Sequence, residues 1–296
     1  MAQNDINVSD NGVAAYMSGN SEFKNWNKIT LGQKSVGIYG NNSSLVSEGN
    51  LIEGTLQKSR KIIGINSNIK NSASIKMAGE ESLGIYSGNT SGTLKNIDNS
   101  GNIEISGKKT VGIYLEGNSG QTVNNRGNIT VHETTEPDRN NSTIGIYAKD
   151  GATVDIVNEG QINVGKKSVG IYSISNGNVT ATNTALLNVS DEGIGIYKKG
   201  GTVNLGGTVT VADHTASTDD SEPVGVYGID GVSIVNNANT VNVGNKSYGV
   251  ILSNPGMNTN RYVNSSGTSI TLGEKSTYCG GLRGCVSCWR WPVACC

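Results

Sequence analysis

The sequence predicts an all-β chain, a right-handed parallel β-helix (solenoid) of about ten coils. Three observations lead there: a short phrase that recurs along 296 residues, an alternating pair of aliphatic residues upstream of most copies, and an asparagine four residues before nearly every pair. The phrase is clearest as Gly37-Ile38-Tyr39, Gly84-Ile85-Tyr86, Gly112-Ile113-Tyr114, Gly145-Ile146-Tyr147, Gly170-Ile171-Tyr172 and Gly195-Ile196-Tyr197. Weaker copies are read at Ala14-Ala15-Tyr16, Gly64-Ile65-Asn66, Gly225-Val226-Tyr227 and Gly249-Val250-Ile251.

From Gly37 to Gly249 the steps between motif glycines are 27, 20, 28, 33, 25, 25, 30 and 24 residues. The aliphatic pairs are Ile29/Leu31, Ile75/Met77, Ile103/Ile105, Ile129/Val131, Ile162/Val164, Leu187/Val189, Val209/Val211 and Val241/Val243, most of them nine or ten residues before the motif aliphatic. The asparagines are Asn25, Asn71, Asn99, Asn125, Asn158, Asn183 and Asn237. Alternation at period two is strand periodicity with one buried face, and nothing in the chain has a 3.6-residue period. With 41 glycines and many β-branched residues, each repeat should hold two or three short strands between tight corners. A propeller blade needs more residues than one repeat supplies, and a hairpin meander needs Asn-Gly turns between strands of similar length.

In a parallel β-helix each coil lies about 4.8 Å from the next, so equivalent residues stack into ladders and ten coils make a rod roughly 50 Å long. An asparagine at one fixed corner can donate to and accept from the asparagines above and below it. Val36 and Ile38 are expected to face inward and Gly37 and Tyr39 outward, which makes Tyr39, Tyr86, Tyr114, Tyr147, Tyr172, Tyr197 and Tyr227 an external aromatic file. Self-stacking reinforcement is its plain reading, and a sugar-binding or protein-docking strip the functional one. Lys34, Lys61, Glu81, Lys109, Lys167, Glu192, Glu222 and Lys246 share a turn position three residues before the motif glycine, and their mixed signs mark a solvated edge.

The composition, 35% hydrophobic and 16% charged with net charge −1, suits a slim rod filled by aliphatic ladders better than a thick globular core. Near-neutral charge leaves no footprint for nucleic acid. No segment has the roughly 18 apolar residues a membrane helix requires. Cysteine is absent up to Tyr278 and then occurs five times, at Cys279, Cys285, Cys288, Cys295 and Cys296. Ile270-Thr271-Leu272-Gly273-Glu274-Lys275-Ser276 matches Ile29–Ser35 closely, and the match stops there. The array is therefore placed at 1–277, with 278–296 a foreign Cys/Trp-rich tail, read as a frame shift or as disordered; a zinc or redox site at Cys285, Cys288, Cys295 and Cys296 is the sharper alternative, and a genuine tail the third. At the other end Ile6 and Val8 already lie inside a repeat with no export signal ahead of them, so the chain reads as an excerpt of a longer protein.

The recurring Lys-Ser-Val-Gly-Ile-Tyr with Asn-x-Gly-x-Ile-x-Val resembles the passenger region of very large autotransporter (type V secreted) adhesins of Gram-negative anaerobes, over residues 1 to about 277. The resemblance implies a β-helical passenger held at the cell surface or outer membrane, or secreted. Its signal peptide and its C-terminal membrane barrel are not in this chain. The implied partner is a protein or glycan on a host or bacterial surface.

The residues point to no enzyme, no cofactor and no bound metal. The only histidines are His132 and His214, and no nucleophile segment of a serine protease accompanies them. What breaks the regularity is two acidic insertions, near 132–143 and 212–223, where the spacing from Ile129 to Ile146 and from Val209 to Val226 grows to 17 residues. They carry His132, Glu133, Glu136 and Asp138, and Asp213, His214, Asp219 and Asp220. Both should project from one edge of the rod, their roots roughly 14 Å apart at the rise of a parallel sheet. The plain reading is a pair of solvated loops, and the functional one a partner-recognition or cation-binding patch. The expected function is thus a structural or adhesive rod, with binding residues among the insertions and among Tyr86, Tyr114, Tyr147, Tyr172 and Tyr197. The alternatives are a carbohydrate-active β-helix enzyme or a truncated gene fragment without function.

Overall fold

The computed structural model describes residues 5–25, 27–133, 142–149, 154–215, 222–256, 258–265 and 267–282. Over these the chain is an all-β parallel solenoid of about ten coils, built from three parallel sheets of eleven, eleven and ten strands, with no helix among the described residues. Each coil contributes one strand to each sheet, and every strand pairs in parallel with the strands three before and three after it. The predicted fold is borne out, with three strands per coil.

The first sheet carries the aliphatic pairs in register: Ile75 beside Ile103, Ile103 beside Ile129, Ile129 beside Ile162, and Met77, Ile105, Val131 and Val164 likewise. Both members of each pair are buried, and the residue between them faces out. The second sheet carries the Gly-Ile-Tyr phrase, with Ile85, Ile113, Ile146, Ile171 and Ile196 stacked in the interior. The third sheet closes the coil with Leu45, Ile69, Ile97, Val123, Ile156, Val179, Val203 and Ile234, all buried.

The asparagine ladder forms where the third sheet turns into the first. Asn71 donates through Nδ2 to Oδ1 of Asn99 at 2.8 Å, Asn99 to Asn125 at 2.8 Å and Asn125 to Asn158 at 2.8 Å. Each amide also donates to the carbonyl two residues on, those of Ala73, Gly101, Gly127 and Gly160. A buried amide is affordable only when satisfied in this way. Asn183 and Asn237 do not belong to the ladder, contrary to expectation, and both are exposed. The residue beside Asn158 is Ala181, and the residue that donates to Asn264 is Asn236, at 2.7 Å. Those two corners hold more residues before the aliphatic pair, so a fixed offset of four lands on the turn instead. The side chain of Asn25 lies outside what the structure describes.

Register corrects another copy of the phrase. Ile38 pairs with Ile62, Tyr39 with Ile63 and Gly40 with Gly64, so the motif in that coil is Lys61-Ile62-Ile63 and not Gly64-Ile65-Asn66. Lys61 stands where the neighbouring coils have Gly37 and Gly84, and it is fully buried. The shared left-handed turn residue of that coil is Lys58, with φ 59°. Lys34, Glu81, Lys109, Lys167, Glu192 and Lys246 share this turn position, as expected, with φ between 50° and 58°, whereas Lys61 does not adopt it.

Strand pairing also runs past the point where the sequence match fails. Thr277–Leu282 pairs with Tyr248–Ser253, and Cys279 takes the interior aliphatic place beside Val250. Cys285, Cys288, Cys295 and Cys296 lie outside the described residues.

Candidate functional site

The outer face of the second sheet is set by the motif glycine. Hydrogen-bonded pairing skips this residue in coil after coil: Leu83 pairs with Val111 and Ile85 with Ile113, while Gly84 and Gly112 have no register partner. A Cβ on Gly84, Gly112, Gly145, Gly170 or Gly195 would stand 2.4 to 2.5 Å from the carbonyl oxygen of the next motif glycine, so a side chain in these coils would push adjacent coils apart. The skip resets the in-out alternation. The aliphatic before the glycine, expected inward, instead faces outward: Val36, Leu83, Ile144 and Ile194 are partly exposed, and Val111, Val169 and Val224 lie at the buried margin. Ile38 and its equivalents do face inward, and so does the residue after the tyrosine, such as Leu115 or Ala148.

Two adjacent outward files result, one aliphatic and one aromatic. Tyr86, Tyr114, Tyr147, Tyr172, Tyr197 and Tyr227 stack face to face with centroids 4.5 to 5.6 Å apart and planes within 14° of parallel. Tyr16 and Tyr39 form a separate pair at 5.2 Å, divided from the long stack by Ile63. The aromatic file is thus external, as expected, and its ring faces are turned toward one another. Glu116 accepts from the Tyr86 hydroxyl at 2.5 Å and from the Tyr114 hydroxyl at 3.1 Å, with the Lys149 ammonium 3.7 Å away. Burial, reinforced by this carboxylate, pushes both phenols well above their ordinary range. Burial and the flanking Tyr172 and Tyr227 push Tyr197 up to about 12.

The insertions meet this face. Their roots, Val131 and Val211, lie on one file of the first sheet with Val164 and Val189 between them, which gives the expected separation of roughly 14 Å. Ser142 and Glu222, near the C-terminal ends of the two insertions, rim a trough of about 490 Å³ on the second sheet. Its floor is Ile144, Val169, Ile194 and Val224 beside Tyr172, Tyr197 and Tyr227. On its rim Glu192 takes both Lys166 at 2.9 Å and Lys167 at 3.7 Å. The outward aliphatic file and its meeting with the insertions were not legible in the sequence, because both follow from the reset at glycine.

Of the insertion residues, His132 pairs with Glu104 at 3.1 Å and is half exposed, and Glu133 is exposed. His214 is buried, its Nδ1 2.9 Å from Asp191. Burial by itself would raise the Asp191 carboxyl. Hydrogen bonds from the hydroxyl and N–H of Thr215 and from His214 outweigh it and hold the carboxyl below its usual range. Asp213 accepts from the backbone N–H of Asn245 at 2.7 Å and from its side-chain amide at 3.2 Å. Asp213 and His214 therefore clamp one coil to another. Glu136, Asp138, Asp219 and Asp220 lie outside the described residues. No group of three or more His, Cys, Asp or Glu side chains suited to a metal occurs among the described residues.

Comparison with protein families, with curated proteins and with solved structures found no match to this chain.

Proposed function

We propose that the chain is a non-enzymatic adhesive rod, a stretch of the passenger of an autotransporter adhesin, carried on the cell surface by a membrane barrel that belongs to a longer parent. The observation that carries this reading is the paired aliphatic and tyrosine files on the second sheet, which repeat the same contact surface from coil to coil. A surface of this kind binds through many weak contacts whose strengths multiply when several are engaged together. The stacked rings offer edges and hydroxyls instead of open faces, which suits a protein partner better than a sugar that would lie flat on an aromatic ring. The polar residues of the insertions that engage Asn245 and Asp191 hold coils together, which supports a scaffold over a catalytic groove.

Beads coated with the chain should be retained under flow on host-cell or bacterial monolayers more strongly than albumin-coated beads. The triple variant Tyr172→Ser, Tyr197→Ser, Tyr227→Ser should lose most of that retention while keeping its β-rich circular dichroism. Retention no better than albumin on every surface would remove the adhesive reading.

A further inference from the structure

The tyrosine stack brings together phenols that are far apart in sequence, and we propose that it is a site of oxidative modification at which neighbouring coils become joined by dityrosine bonds. Tyr172 and Tyr197 are 25 residues apart in the chain, yet their ring centroids lie 4.5 Å apart with planes 3° from parallel. Their neighbours Tyr147 and Tyr227 follow at 5.1 and 5.5 Å. All four are partly exposed along their edges, so a soluble oxidant or an enzyme's diffusible radical can reach them.

The chemistry needs two equivalents of a one-electron oxidant, such as a haem peroxidase generates from hydrogen peroxide. Each of two phenols loses one electron and its hydroxyl proton, and the two radicals form a carbon–carbon bond between ring positions ortho to oxygen. The two ring hydrogens at that bond then shift to the oxygens as the rings regain aromaticity. The product lacks two hydrogens, and peroxide takes up two protons and two electrons to give two waters. Proximity decides the outcome, because a radical held against a second phenol couples within the molecule before it meets another. At one end of the stack Glu116 accepts hydrogen bonds from both Tyr86 and Tyr114 and can take the phenol proton as the electron leaves. In a solenoid each coil is held by its neighbours alone, so a bond between coils resists the mode by which such rods fray.

The test treats the full chain with a haem peroxidase and hydrogen peroxide, in buffer and in concentrated urea, and maps cross-linked peptides by mass. The expected result is a linked peptide joining Tyr172 and Tyr197, within single molecules, in about fivefold or greater excess over the urea sample. Tyr172→Phe, which keeps the stacked ring, should abolish that link and leave Tyr197–Tyr227. Equal yields with and without urea, links mainly between molecules at every dilution, or oxygen addition without links would each overturn the proposal.

Discussion

The ammonium of Lys61 fills space in the first sheet that Gly54 leaves empty. Lys61 Nζ donates to Ser59 Oγ at 2.6 Å and to the Gly54 carbonyl at 3.3 Å, and a Cβ on Gly54 would stand 2.6 Å from it. Met77, the register partner of Gly54, supplies an aliphatic side chain at this place in the next coil. The glycine of one sheet and the large residue of the other have exchanged places within a single coil.

The exchange predicts strong coupling between the two sites. Gly54→Leu should clash with Lys61 and Lys61→Gly should leave a void, each costing about 2–4 kcal/mol. Together they restore the arrangement of the other coils, and the double variant should be at least as stable as the parent chain. A double-mutant cycle by urea denaturation measures this, and additive losses would refute the pairing.

Burial pulls the Lys61 ammonium down to about 7, while an unfolded lysine titrates near its ordinary value of about 10.4. Between these values the unfolded chain binds the extra proton, so stability is full above the upper value and falls as pH drops toward 7, then levels. The amplitude is on the order of 5 kcal/mol at most. Lys61→Met, of similar length, should raise stability at pH 7 and flatten the dependence between pH 7 and 10. An unchanged slope would place the proton elsewhere.

The asparagine ladder ends unsatisfied at Ser47. Ser47 lies beside Asn71, and the Ser47 hydroxyl and the Asn71 Oδ1 are both buried without a hydrogen bond. Ser47→Asn should extend the ladder by one rung and stabilise by about 1 kcal/mol. Asn99→Leu, in the middle, would strand Asn125 Oδ1 and should cost about 2–3 kcal/mol. Thermal melts of the two variants should move in opposite directions.

Gly170→Ala should be strongly destabilising although it adds a single methyl group. Its Cβ would meet the Gly195 carbonyl oxygen at 2.5 Å and Val164 Cγ2 at 2.8 Å, in a ladder that cannot shift one coil without its neighbours. A loss of about 2–4 kcal/mol is expected in denaturant titration.

Asp191 binds its partners as a carboxylate, and its titration is held below the usual range. Its contribution is complete above the unfolded value of about 4 and is lost as pH falls through the lower folded value. Asp191→Asn should weaken the fold at neutral pH and shrink the loss seen on acidification below about pH 4. The measurement is urea denaturation repeated from pH 2 to 7.

The architecture was readable because a parallel solenoid writes its period into the chain. Ile103/Ile105 and Ile113, ten residues apart, fall in the same places as Ile129/Val131 and Ile146 whatever length separates them, since the variation is confined to corners. The candidate site was readable only in part. Tyr86 through Tyr227 do face outward as alternation predicts, but Val36, expected inward, is partly exposed, because plain alternation fails where the motif glycine skips its pairing. The insertions were located, yet nothing in their composition reveals that His214 turns inward to Asp191.

By itself the sequence determined the repeat, the strand content, the inward aliphatics and the outward tyrosines, because each depends on residues within one coil. Only the tertiary structure decided the register that makes Lys61 the motif residue, the corner that moves the ladder from Asn237 to Asn236, and the meeting of the insertions with the tyrosine face. Those features depend on which residues of one coil lie over the next, and hydrogen bonds between coils set that alignment where corners differ in length.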